Sequence, residues 1–113
     1  MQPSISVIKL TGELEIGRKA EVRGALQLTD EQKSILIDCG EVTYADSTAL
    51  AELIRFRNQA DARQVPVAIL IGNGQFARLL DYAGLAQAFA VFDTRGAALA
   101  FLGSQTAGSQ TAP

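Results

Sequence analysis

The sequence contains no histidine, and that absence removes a large part of enzyme chemistry. A Ser-His-Asp triad, a Cys-His dyad and any histidine-ligated metal centre cannot be built from it. A single cysteine, Cys39, excludes an intrachain disulfide and a four-cysteine zinc site, and gives no sign of an oxidising compartment. Charges or glycines interrupt every apolar run before the roughly 18 residues that a membrane helix needs, so no membrane insertion is expected. Met1-Gln2-Pro3-Ser4 lacks the positive region and long apolar segment of a signal peptide. Basic runs are missing too. Ten Lys+Arg stand against twelve Asp+Glu, a net charge of −2, which disfavours nucleic-acid binding through phosphate neutralisation. The expectation is a cytoplasmic protein that is not an enzyme and carries no cofactor or metal.

What is present is a core-forming chain. Its 113 residues are 48% hydrophobic, enough for one packed domain. Ile5–Leu10 is β-branched and reads as a strand ending in a turn at Thr11-Gly12. Apolar residues recur at helical intervals from Ile16 to Leu28. Ser34–Cys39 is a continuous apolar run, as in a strand covered on both faces, and Gly40 ends it. The longest helical pattern follows, capped by Asp46 or Ser47, with Ala49, Leu50, Leu53, Ile54 and Ala60 as its buried stripe. Glu52, Arg55, Gln59 and Arg63 fall on other faces, toward water. Val65–Ile71 is a third strand, Phe76–Tyr82 a short helix, Phe89–Phe92 a fourth strand and Thr94–Leu102 a last helix. This alternation predicts an α/β fold, a small and mostly parallel sheet of about four strands with about four helices, over residues 1–102. Residues 103–113 contain Gly-Ser-Gln-Thr-Ala twice in succession and read as a flexible tail.

Crossover geometry gathers Thr11-Gly12-Glu13, the stretch Gly40–Ser47 and Gly72-Asn73-Gly74 at the carboxyl edge of the sheet, where α/β sheets bind their ligands and partners. Helix N-termini point the same way and offer unpaired N–H groups and a partial positive charge. Asp46-Ser47-Thr48 opens the long helix there. One reading of it is helix capping alone, which Asp and Ser do well. The other is a phosphoacceptor: a phosphate at a helix start is stabilised by the dipole, and its added charge of about −1.5 to −2 would weaken a docked partner.

The segments Leu10-Thr11-Gly12-Glu13-Leu14, Ile35-Leu36-Ile37-Asp38 and Val42-Thr43-Tyr44-Ala45-Asp46-Ser47-Thr48-Ala49-Leu50 resemble the STAS family of sulphate transporter and anti-sigma factor antagonist domains. Leu79–Leu85, Phe92-Asp93 and Ala97-Ala98-Leu99 are similar to its later elements, so the resemblance spans about Ile5 to Leu102. It implies an anti-sigma factor antagonist that binds an anti-sigma factor with serine-kinase activity. In such members the kinase phosphorylates the serine after the motif aspartate, which maps onto Ser47 with Thr48 as second choice, and a phosphatase reverses the step. ATP and Mg²⁺ belong to the kinase. Glu13, Glu15, Tyr44, Asp46 and Asn73, with Ser47 and Thr48, are the candidate partner contacts. An alternative within the same family is an adaptor subunit that docks on the ATPase of a phospholipid-transport ABC system; a stressosome-type scaffold is a third reading.

The sequence departs from the family pattern in three places. Glu15 stands where aspartate is common, Ala49 stands where glycine usually follows the Ser-Thr pair, and only four residues precede Ile5 where many members have an extra strand. An edge left open by that missing strand could favour dimerisation. Gly72-Asn73-Gly74-Gln75-Phe76-Ala77, with Asp93 about 20 residues on, also matches a dinucleotide-binding fingerprint. It lacks the second half of such a domain, and an ordinary glycine turn is the simpler reading. Cys39 reads as a core residue; Tyr44 reads equally as a partner contact or a core plug.

Overall fold

The structure, a computed structural model, describes residues 5–111, with side chains described over residues 5–105. Its elements run β1 (Ser6–Leu14), a 3₁₀ turn (Ile16–Arg18), α1 (Lys19–Ala25), β2 (Ile35–Ala45), α2 (Ser47–Ala62), β3 (Val67–Ile71), α3 (Gly74–Tyr82), β4 (Ala90–Phe92) and α4 (Arg95–Thr111). The four strands form one parallel sheet in the order β1-β2-β3-β4. Strand order equals chain order, so right-handed crossovers place α1, α2 and α3 on one face. Val22 of α1, Leu50, Leu53 and Phe56 of α2, and Phe76 and Leu80 of α3 share a core there with Ile35, Ile37, Cys39 and Ile69. The opposite face is covered by α4, whose Ala98 and Leu102 pack on Leu36, Ala68 and Leu70. Alternate residues of β2 thus enter two different cores, which explains its unbroken apolar run.

Several boundaries differ from the sequence reading, each for a physical reason. β1 does not turn at Thr11-Gly12 but continues to Leu14 through two register shifts, Gly12 adopting φ 76° within them. The extra residue at each shift lies in β2, so β1 passes through Thr11 and Gly12 without a break and β2 bulges opposite them. β2 likewise runs through Gly40 to Ala45, because its pairing with β1 continues through Glu41, Val42 and Tyr44. The expected helix from Ile16 is split into the 3₁₀ turn and a short α1. β3 and β4 start slightly later than expected, and α3 starts earlier, at Gly74. Glu52 and Arg55, expected toward water, lie at the α1–α2 contact, and Glu52 is only 1% exposed.

The segment expected as a tail continues α4 to Thr111, while Ala112 and Pro113 lie outside the described residues. Helix propagation adds one hydrogen bond per residue once the turn is nucleated, so the Ser-Gln-Thr-Ala composition does not end it. Leu102 is buried, and Ser104 and Gln105 are exposed. The extra N-terminal strand concerns residues 1–4, which also lie outside the described residues. Among the described residues no helix is long and apolar enough to cross a membrane.

Candidate functional site at the carboxyl edge

The site grows from how β2 hands the chain to α2. Asp46 is extended, and its side chain accepts the Thr48 N–H at 2.8 Å, so it is the N-cap and Ser47 the first helical residue. Such a cap contributes about 1 kcal/mol and fixes the first turn. The Asp46 N–H donates to Leu14 O at 3.1 Å, tying the helix start to the end of β1. Ser47 is exposed, and its hydroxyl has no hydrogen-bond partner among the described residues. Thr48 is half-buried. Ala49 is turned inward and 1% exposed, so its methyl group fills core space and leaves the outer face of the turn clear.

The remaining candidates surround this point. Glu13 is exposed and pairs in register with Tyr44, and Leu14 pairs with Ala45. Tyr44 is 43% exposed, which makes it a surface aromatic and not a core plug. Glu15 is half-buried and precedes the 3₁₀ turn. Asn73 caps α3, accepting the Phe76 N–H at 3.0 Å, and its amide donates to Thr43 O at 3.0 Å. The glycine turn is therefore used internally. A Cβ on Gly72 would meet Gly40 O at 3.2 Å, so these two loops require glycine for their close approach.

Four residues of this edge were not singled out by their sequence pattern. Ile16 is 72% exposed, an apolar side chain standing in water. With Lys19 it lines two adjacent depressions: one of about 410 Å³ with Gly17, Ala20 and Arg23, and one of about 230 Å³ with Ser47, Thr48, Ala51 and Glu52. Arg18 donates to Thr11 O at 2.7 Å and Glu13 O at 2.8 Å, and its guanidinium also pairs with Glu21 at 2.6 Å. A Cβ at Gly12 would lie 3.1 Å from that guanidinium, so glycine at this position makes room for the arginine. Glu52 is held by Arg23 at 2.8 and 2.9 Å and by Arg55 at 3.0 Å, while Arg55 also donates to Leu26 O. The Arg23 hydrogen bonds, opposed by desolvation, hold the Glu52 carboxyl down at about 2.

No cluster of three His, Cys, Asp or Glu side chains suited to a metal ion occurs among the described residues. Burial pushes the Cys39 thiol up to about 12, away from reactivity.

Comparison with known proteins gives this edge a context. No curated protein matches the chain. A crystal structure of a sulfate transporter family protein from Wolinella succinogenes superimposes with a TM-score of 0.76 at 20% identity, covering 95% of this chain and 92% of that one. At that identity the likeness speaks for the fold alone. The family model of the STAS domain, by contrast, matches residues 1–98, from before β1 into the first turn of α4. With the strand-loop-helix that carries Asp46-Ser47-Thr48 inside that match, the chain belongs to the STAS domain family.

Proposed function

We propose that this STAS domain is an anti-sigma factor antagonist whose docking on a serine-kinase anti-sigma factor is ended by phosphorylation of Ser47. The observation that supports this most is the placement of Ser47: exposed, unbonded at its hydroxyl, and first in a 16-residue helix at the carboxyl edge. The Ser47 oxygen attacks the γ-phosphorus of ATP held by the kinase. An O–P bond forms as the bond to the β-phosphate oxygen breaks, the hydroxyl proton passes to a base of the kinase, and ADP leaves. The added phosphate sits at a positive helix end, so the domain tolerates it. Its charge joins Glu13, Glu15 and Asp46 at one edge, and a partner must then desolvate or repel more negative charge than before. The domain itself performs no catalysis in this scheme; it is substrate and binding partner.

The test is incubation with ATP, Mg²⁺ and the serine-kinase anti-sigma factors of its organism, followed by mass spectrometry. One phosphate is expected, on Ser47. Ser47→Ala should bind the kinase without being modified, and Ser47→Asp should bind at least tenfold more weakly. Equal affinity of the two variants would overturn the switch. Recovery of an ABC ATPase with the protein, and no phosphate on Ser47, would favour the adaptor reading.

A further inference from the structure

β2 outlasts its neighbour β3. The pairing of the two ends at Cys39 with Ile71, yet β2 continues to Ala45, held on its β1 side through Leu14. On the other side β3 has already turned away at Gly72, and two amide side chains of the α3 start stand in its place. Asn73 Nδ2 donates to Thr43 O at 3.0 Å. Gln75 Nε2 donates to Ala45 O at 2.8 Å, and the Ala45 N–H donates to Gln75 Oε1 at 3.0 Å. Thr43 and Ala45 are two residues apart and so present their backbone groups on the same side of the strand. A primary amide that both donates to and accepts from one residue reproduces what a neighbouring strand would supply. Ala45 is fully buried, so the pairing completes backbone groups that water would not reach.

The position of this surrogate strand matters because Ala45 lies two residues before Ser47, and Asp46 between them is tied to Leu14 on the opposite side. The chain is therefore gripped from both flanks immediately before the phosphoacceptor. We propose that Gln75, seconded by Asn73, is a positioning residue for Ser47: its side-chain amide sets the height and direction at which the α2 start presents the hydroxyl. This rests on the reading of Ser47 given above. Phosphoryl transfer depends on in-line placement of the attacking oxygen, and misplacement of about 1 Å can cost on the order of 100-fold in rate.

The experiment compares Gln75→Met, which keeps length and loses both hydrogen bonds, with Leu102→Ala, which loosens the core on the opposite face of the sheet. Both are measured for phosphorylation kinetics by the kinase that modifies the wild type, for unfolding free energy, and for amide hydrogen exchange. Gln75→Met should lower kcat at least tenfold with KM changed less than threefold, and should speed exchange at Ala45–Ala49 at least tenfold. Leu102→Ala should leave kcat within twofold. Gln75→Glu should recover the exchange protection as pH is lowered and its carboxyl becomes protonated, since a carboxylic acid offers the same donor and acceptor. Equal loss of kcat in the two variants, or unchanged exchange at Ala45–Ala49 in Gln75→Met, overturns the proposal. If the wild type accepts no phosphate, the reading of Ser47 fails, and so does the role of Gln75 in its modification; the exchange data then judge the surrogate strand alone.

Discussion

Glu52 offers the sharpest physical test of the packing beneath the site. It is a carboxylate 1% exposed between α1 and α2, bonded twice by Arg23 and once by Arg55. Its carboxyl is held at about 2, against an ordinary 4.5. A depressed carboxyl contributes stability that is fully present above its unfolded value and is lost as pH falls toward its folded one. At 1.36 kcal/mol per pH unit the contribution is about 3 kcal/mol at pH 7, and linkage leaves about 1.4 kcal/mol at pH 3. Glu52→Gln approximates the protonated side chain at every pH. Urea unfolding followed by far-ultraviolet circular dichroism should show the variant less stable by about 3 kcal/mol at neutral pH and by about half as much at pH 3. Arg23 and Arg55 are half-exposed and regain water when released, which keeps the loss at the lower end of that for a broken buried ion pair. A deficit identical at both pH values would show that Glu52 contributes by shape and not by charge. A deficit below about 1 kcal/mol at pH 7 would refute the argument outright.

Two further outcomes follow from single positions. Gly12→Ala forces a side chain onto a backbone at φ 76° and toward the Arg18 guanidinium at 3.1 Å, so unfolding free energy should fall by about 1–3 kcal/mol; an unchanged midpoint would mean that the strand relaxes freely at this residue. Cys39 is fully buried with its thiol pushed up to about 12, so a thiol reagent at pH 8 should label it only at the rate of unfolding, and rapid labelling of the folded protein would contradict its placement.

The sheet and its helices were legible because their signals are local. The Ile35–Cys39 run, the Asp46 cap and the alternation of apolar periods each lie within a few residues. What the pattern hid is held by partners distant in sequence. Gly40 looked like the end of β2, but the strand survives it because β1 keeps pairing, and that pairing is not written near Gly40. Gly12 reads as a turn because it needs a positive φ, which a strand facing two bulges of its neighbour demands as well as a turn does. Glu52 reads as lying on another face of the helix, toward water, although it stands three residues after Ala49 and four before Phe56, on the stripe that both bury. That spacing could have exposed it; its arginine partner 29 residues away could not. Gln75 reads in the sequence only as a filler within a glycine motif, while its bonds cross 30 residues to Ala45.

Arg18 has one more consequence. β1 has β2 as its sole neighbour among the described strands, which leaves one border of the sheet without a partner. Two carbonyls along the last stretch of that border, Thr11 and Glu13, are already occupied by a single guanidinium. A foreign strand laid alongside would have to evict the arginine before it gained its first bonds there. The arginine thus guards this stretch of the border against accidental lengthening of the sheet, while the exposed side chains beside it stay open to water.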